Sequence, residues 1–430
     1  MNILVISSRP SQYSGHYGDN IVKSLKVNGH NVTWGYDGIE KQYDEITRYF
    51  KLINNNNCVK NIRLLLSKIK KSIGNVLFGI RCSRYFLVKN EKYPSLVSKL
   101  QLDKIKGNYD AILVLFTSEM ISANIIEKVA NKYSCPIILT TIDMYWITGG
   151  CYFFGDCYGY LKSCKKCPAC AYWEKDIPYH NYMKKKELFQ RPNIFLYTNT
   201  YVKNIINENN FISNEKLITS SFILDENEYK PLDRNDCKRK LGVKPNQRFI
   251  MLARYSDQPR KGFKYILKSI NNIFGNKNCS EVSLYLIGDD ATNIVDDLSV
   301  NVINKCRVDV ETLIDLYNIA DVFLSASIDD AGPSMVNQAM ACGTPVVSFN
   351  IGTALDVLVD GESGFVAKDI SVSAYTKALH TLYLLNDDER NKLRMSTREI
   401  ALKYNSLNVF SKKVESVIKS YVSTQFRAIK

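Results

Sequence analysis

No apolar run in the chain approaches the eighteen or so residues that a membrane-spanning helix needs; the longest, such as Ala111 to Phe116, fall far short. The opening Met1-Asn2-Ile3-Leu4 lacks the basic start and cleavage site of a secretory leader, so a cytosolic location is expected. Histidine is scarce, and His16, His30, His180 and His380 form no metal spacing and no catalytic triad. No G-x-G-x-x-G follows the first expected strand, which argues against a nicotinamide-dependent oxidoreductase. There is no solenoid repeat, no zinc-finger or RNA-binding motif, and no low-complexity tract beyond Asn54 to Asn57, so no nucleic-acid partner is expected. The composition excludes a disordered, collagenous or small disulfide-stapled protein.

What is present is length, apolar content and positive charge. The 430 residues are 45% hydrophobic, enough for two domains with two cores. The net charge is +14, and residues 50–90 hold nine Lys or Arg with no Asp or Glu. Within that segment Ile62, Leu65, Leu66, Ile69, Ile73, Val76, Leu77 and Ile80 recur at helical spacing, with Arg63, Lys70, Lys71 and Arg81 on the other side. Three readings of this basic amphipathic pattern stand: a helix packed on its own domain, an anionic membrane surface, and, least favoured, nucleic acid.

Buried-strand patterns at Asn2 to Ser7, Asn31 to Gly35, Ala111 to Phe116, Pro136 to Ile142 and Ile194 to Thr198 alternate with helical ones. A second set follows a charged, proline-broken stretch at 222–247: Phe249 to Ala253, Ser283 to Ile287, Val322 to Ser325 and Pro345 to Ser348. The expected class is α/β, two Rossmann-like doubly wound domains facing a central cleft. Domain one is placed at 1–224 with a cysteine-rich insertion at 148–170, domain two at 225–405, and a C-terminal helix at 406–430 packs back on domain one.

The strongest local signal lies at 320–368. A strand ending at Ser325, a loop holding Asp329, Asp330, Ala331 and Gly332, Pro333, and a helix from Ser334 closed by Gly343 aim a helix N-terminus at the cleft. Such an end attracts the anionic part of a ligand. Asp330 and Gln338, eight positions apart, are candidates to line one pocket.

The run S-A-S-I-D-D-A-G-P-S-M-V-N-Q-A-M-A-C-G-T-P-V-V from Ser325 to Val347 resembles the donor-binding signature of glycosyltransferase family 4, retaining enzymes of the GT-B fold. The resemblance covers nearly the whole chain. It implies a nucleotide-sugar donor held by Gly332, Pro333, Ser334, Met335, Val336 and Gln338, with Asp330 on the transferred sugar. The family's usual pattern is E-x₇-E, and here Asp330 and Gln338 stand at its two Glu positions. Arg254 and Arg260-Lys261-Gly262 resemble the family's R-x₄-KG, with a spacing two residues longer, and on that comparison Arg254 and Lys261 hold the donor diphosphate. Gly15 and His16, after the first strand, resemble the N-domain glycine loop facing the same phosphates. Many relatives carry His where this chain has Ile142; Asp143 beside it is a candidate acceptor or cleft residue.

Twelve cysteines include five within residues 151–170. The C-x₅-C-x₆-C-x₂-C-x₂-C series in a reducing compartment suits a structural tetrahedral zinc, with disulfides, unpaired thiols or an iron-sulfur cluster as alternatives. It resembles an insertion found in a subset of family 4 transferases, and that comparison makes Cys151, Cys157, Cys164 and Cys167 the ligands and Cys170 spare. No metal is expected in the transfer chemistry.

The resemblance thus implies a retaining glycosyltransferase at the inner face of a membrane, moving a sugar from a nucleotide-sugar to a saccharide acceptor, lipid-linked, in surface polysaccharide assembly. The alternative is a GT-B protein that binds a nucleotide or glycan without transfer.

Overall fold

The computed structural model describes residues 1–7, 17–36, 48–51, 91, 105–115, 121–141, 143–170, 176–275 and 279–428. Almost all of the basic segment 50–90 lies outside them, as do Gly15, His16 and Ile142.

The first half runs β1 (Asn2–Ser7), α1 (Tyr17–Val27), β2 (Asn31–Tyr36), β3 (Arg48–Lys51), β4 (Ala111–Leu115), α2 (Ala123–Lys132), β5 (Ile137–Thr140), α3 (Ile177–Phe189), β6 (Ile194–Thr198), α4 (Thr200–Asn209) and β7 (Leu217–Thr219). The second runs α5 (Arg234–Leu241), β8 (Phe249–Tyr255), α6 (Phe263–Phe274), β9 (Cys279–Gly288), β10 (Val300–Cys306), α7 (Val310–Ile319), β11 (Val322–Ser325), α8 (Ser334–Ala341), β12 (Val346–Phe349), α9 (Ala354–Val357), β13 (Gly364–Ala367), α10 (Val372–Tyr383), α11 (Asp387–Asn405) and α12 (Leu407–Ala428). Two compact units result: Met1–Thr198, Val202–Thr219 and Phe410–Lys430 form one, Asn199–Tyr201 and Ser220–Val409 the other.

In the first unit seven parallel strands lie in the order β3-β2-β1-β4-β5-β6-β7. β1 and β4 are apolar on both faces, as strands covered by helices on each side must be, and Ile3 to Ile6 and Ala111 to Leu115 are fully buried. α12 packs here through Phe410 on Tyr197, ring centroids 4.9 Å apart, and through Lys413, which donates to the Thr219 carbonyl at 2.6 Å.

The second unit holds six parallel strands in the order β10-β9-β8-β11-β12-β13. Successive residues of β8 serve opposite faces: Phe249, Met251 and Ala253 join one core with Leu284 and Phe274, while Ile250 and Leu252 join the other with Leu316 and Met340. Helix ends follow local chemistry. Asp233 caps α5 by accepting from Asp236 N at 2.8 Å, and the helix closes on Gly242 at φ +66°. Asn386 and Glu389 form a reciprocal capping box at the start of α11. Gly343, at φ +75°, ends α8 as its sequence position suggests.

Candidate functional site

The C-terminal ends of β8 and β11 carry or lead into Arg254, Lys261 and Asp330. Arg254 is the penultimate residue of β8; its side chain is exposed and has no hydrogen bond or ion pair among the described residues, and a loop and a single 3₁₀ turn, Pro259–Lys261, follow the strand. β11 ends at Ser325 and leads through residues 326–333 to α8. These two loops are locked together by glycine. Gly262 sits at φ +65°, and a Cβ there would lie 1.8 Å from the Ala326 carbonyl oxygen, so only glycine admits the approach. Ile328 N then donates to Arg260 O at 2.8 Å, and Arg260 Nη1 donates to Asp329 O at 3.2 Å. Gly352, at φ +60°, makes the same kind of contact from the other side, its Cβ position 2.5 Å from Asp330 O and 2.9 Å from Pro333 Cδ. Asn199 Nδ2 also donates to Ala331 O.

Asp330 is 4% exposed at the centre of this arrangement. Its Oδ2 accepts from Lys261 Nζ and lies 3.4 Å from both Arg260 Nη1 and Ser327 Oγ, while Oδ1 accepts from Gly332 N at 3.3 Å. Burial works against the charge of this carboxylate, but Lys261 and Arg260 outweigh it and hold Asp330 below the ordinary carboxylate range. Pro333 sits at the N-cap of α8 with no side chain capping the helix, and Gly332, Pro333, Ser334 and Met335 are half-buried around that end. Val336 is buried in the core below.

Gln338 is held differently. Its Oε1 accepts from Tyr317 OH at 3.0 Å and its Nε2 donates to Tyr229 OH at 3.2 Å, which turns the amide inward between two buried phenols. The structure therefore brings Lys261 and Asp330 together with the start of α8 and sets Arg254 at the end of the neighbouring strand. Arg260 and Ser327 complete the set and were not singled out from sequence; Arg260 stood in the Arg-Lys-Gly triplet, the one signal available.

Asp143, in the first unit, accepts from Tyr145 N at 2.8 Å, and burial pushes its carboxyl up to about 6. The loop it begins is held from within by Lys185 on α3. That ammonium is fully buried, donates to the carbonyls of Tyr145 (2.6 Å) and Thr148 (3.2 Å), lies 3.6 Å from the Tyr145 ring centroid and 4.0 Å from the equally buried Glu91 Oε1. Glu91 accepts from Tyr145 OH and, through Oε2, from Ala123 N at the start of α2 at 2.6 Å. Lys185 lies in the run Lys184-Lys185-Lys186 and was not singled out from the sequence.

The zinc expectation at Cys151, Cys157, Cys164 and Cys167 finds no support. Among the described residues no group of three or more His, Cys, Asp or Glu is placed to hold a metal ion. Burial, with the neighbouring cysteines of the series adding to it, pushes the Cys151 thiol far up and that of Cys164 to about 11. Cys164 Sγ accepts from Gly149 N at 3.2 Å, and a hydrogen bond from the Cys170 side chain brings Cys167 down to about 7. Cys170, expected to be spare, is thus a partner of Cys167. No disulfide joins the described cysteines.

Residues 233–400, which include Arg254, Lys261, Asp330 and Gln338, match the family profile described as "Glycosyl transferases group 1". The chain is 30% identical over 105 residues to the D-inositol 3-phosphate glycosyltransferase of Corynebacterium urealyticum, a match covering 24% of each protein, so it spans about a quarter of that relative's length. Among solved structures it is similar to sucrose-phosphate synthase from Thermosynechococcus elongatus, with a TM-score of 0.64 and 14% identity over 98% of this chain and 99% of that one. Anabaena HepE, in complex with UDP and glucose, gives a TM-score of 0.61 and 13% identity over 98% and 100%. The two-sheet α/β architecture is that of the GT-B glycosyltransferases.

Proposed function

We propose that this protein is a retaining glycosyltransferase that moves a sugar from a nucleotide-sugar to a saccharide acceptor. The supporting observation is the assembly of Lys261, Arg260 and Asp330 beside the uncapped start of α8, with Arg254 near the end of the adjoining strand, within residues that match the Glycosyl transferases group 1 profile. In this reading residues 225–405 bind the donor and residues 1–224 the acceptor. Transfer breaks the bond between the anomeric carbon and a phosphate oxygen and forms one from the acceptor oxygen to that carbon on the same face. Negative charge grows on the departing diphosphate, which takes up the acceptor proton. Arg254, Lys261 and the α8 N-terminus are preorganised to stabilise that charge, and Asp330 accepts hydrogen bonds from the sugar hydroxyls. The acceptor is proposed to be a lipid-linked saccharide of a surface polysaccharide, reached at an anionic inner membrane face through residues 50–90.

A second reading, binding without transfer, is favoured by Gln338, whose amide is already satisfied by Tyr229 and Tyr317. Thermal stability measured against UDP-, GDP-, ADP- and CMP-sugars, with Arg254→Ala alongside, tests both. Stabilisation by one nucleotide class, lost in the variant and accompanied by sugar release or transfer, supports the enzyme. Stabilisation without turnover supports the binder, and no response to any donor refutes both.

A further inference from the structure

At the other end of β11, away from Ser325 and Asp330, three cations gather around one carboxylate. Asp321 precedes the strand and is 5% exposed; its Oδ2 accepts from Ile250 N at 2.8 Å and its Oδ1 from Arg234 Nη2 at 2.6 Å. Arg234 also donates to Ile319 O at 2.8 Å. Arg394, on α11, reaches the same turn and donates to Ala320 O at 2.6 Å and Asn318 O at 3.1 Å. The two guanidinium groups therefore straddle the C-terminus of α7, and Arg234 Nε is a buried donor with no acceptor among the described residues. Lys238 stands one helical turn beyond Arg234 on α5, the spacing that sets like charges side by side at a cost.

The other basic residues of α5 have carboxylates: Arg239 pairs with Asp236, and Lys240 lies 3.6 Å from Asp315 and 3.7 Å from Glu311. The Lys238 ammonium has no hydrogen bond or ion pair among the described residues. The charges of Arg234 and Arg394 bear on it directly, and Arg234 bears on Arg394 in turn. Two positive charges are left in excess at a half-buried spot where one ammonium and one guanidinium N–H lack acceptors.

We propose that Lys238, Arg234 and Arg394 form a binding site for an oxyanion of the phosphate class, either inorganic phosphate or the phosphoryl group of a metabolite. Guanidinium forks match a tetrahedral oxyanion, and a dianion balances the excess charge. The site is separate from the donor site, and nothing in the transfer reaction requires it.

Isothermal titration with sodium phosphate at ionic strength fixed by sodium chloride tests this on the full chain. Lys238→Ala breaks no side-chain hydrogen bond or ion pair among the described residues and leaves the candidate donor site untouched, so the variant should fold normally. Wild-type protein should bind phosphate, Lys238→Ala should weaken that binding roughly tenfold, as loss of a charged hydrogen bond does, and Lys238→Arg should keep most of it. Glucose 6-phosphate in a parallel titration separates the sources: tighter binding than inorganic phosphate assigns the site to a metabolite, equal binding to the free ion. Absence of phosphate binding, or affinity unchanged in Lys238→Ala, overturns the proposal.

Discussion

Lys261 donates its ammonium to Oδ2 of Asp330, a carboxylate that Arg260 and Ser327 also approach at 3.4 Å. A cation suited to a donor phosphate is thus already occupied by an acid of its own unit. Replacing Asp330 with Asn removes the carboxylate that pairs with Lys261, at a cost of about 3 kcal/mol at neutral pH. Because the folded-state carboxyl lies below its unfolded value of about 3.9, Asp330 contributes stability that is complete above that pH and lost as pH falls through the lower folded value. Urea denaturation at pH 7 and pH 3 checks both points: the gap between wild type and Asp330→Asn should narrow in acid, and a gap independent of pH would contradict the assignment.

Asp143 should behave with the opposite sign. Its folded carboxyl titrates near 6, above the unfolded value of about 3.9, so the folded state holds the proton more tightly. Its charge therefore costs stability that is fully felt above pH 6 and disappears as pH falls toward 4. Asp143→Asn keeps an acceptor for Tyr145 N and should raise stability by about 2 kcal/mol at pH 8 and by much less at pH 4.5. Denaturation midpoints at the two pH values decide it.

Most of the fold was legible in the sequence, and what was missed has one cause. The strands expected from apolar runs are the interior strands of both sheets, whereas β3, β7, β10 and β13 went unread, and these are the four sheet edges. An interior parallel strand is covered on both faces and must be apolar throughout. An edge strand such as Val300–Cys306 is half-exposed and reads as polar. At the site, Arg254, Lys261 and Asp330 were singled out by the resemblance of their motifs, and they lie on β8 and in the loops that follow β8 and β11. The inward turn of Gln338 was not legible, since it depends on Tyr229 and Tyr317 from distant parts of the chain. Lys185 was hidden for the same reason: its carboxylate, Glu91, is remote in sequence.

The Lys185 and Glu91 pair gives a sharper energetic expectation. Both side chains are fully buried, so Lys185→Met strands one carboxylate and should cost about 3–5 kcal/mol. Adding Glu91→Gln should recover part of that loss, because the uncompensated charge is gone. A double-mutant cycle by urea denaturation measures it, and strictly additive losses would show that the pair does not couple.

Two glycines with nearly the same backbone separate conformational strain from steric exclusion. Gly242 (φ +66°) has nothing within 4 Å of its Cβ position, while Gly262 (φ +65°) would place a Cβ 1.8 Å from Ala326 O. Gly242→Ala should cost about 1–2 kcal/mol, the left-handed backbone penalty alone. Gly262→Ala pays the same penalty and must also push the Arg260-Lys261 turn off residues 326–328. It should be distinctly less stable than Gly242→Ala and should lose nucleotide-dependent stabilisation, which Gly242→Ala should keep.

Arg254 offers the cleanest separation of chemistry from folding. Its side chain is exposed and makes no hydrogen bond or ion pair among the described residues, so Arg254→Ala should change stability by no more than about 0.5 kcal/mol. If its guanidinium stabilises charge on a departing diphosphate, removing that preorganised donor should cost roughly 10² to 10³ in kcat. The loss should fall on kcat more than on KM, because the charge is greatest in the transition state. Arg254→Lys restores charge without the planar fork and should recover only part of the rate. Turnover of the donor identified by thermal stabilisation, with denaturation curves of the same preparations, provides the comparison. Full activity in Arg254→Ala would remove this residue from the site and leave Lys261 and the start of α8 to hold the phosphates.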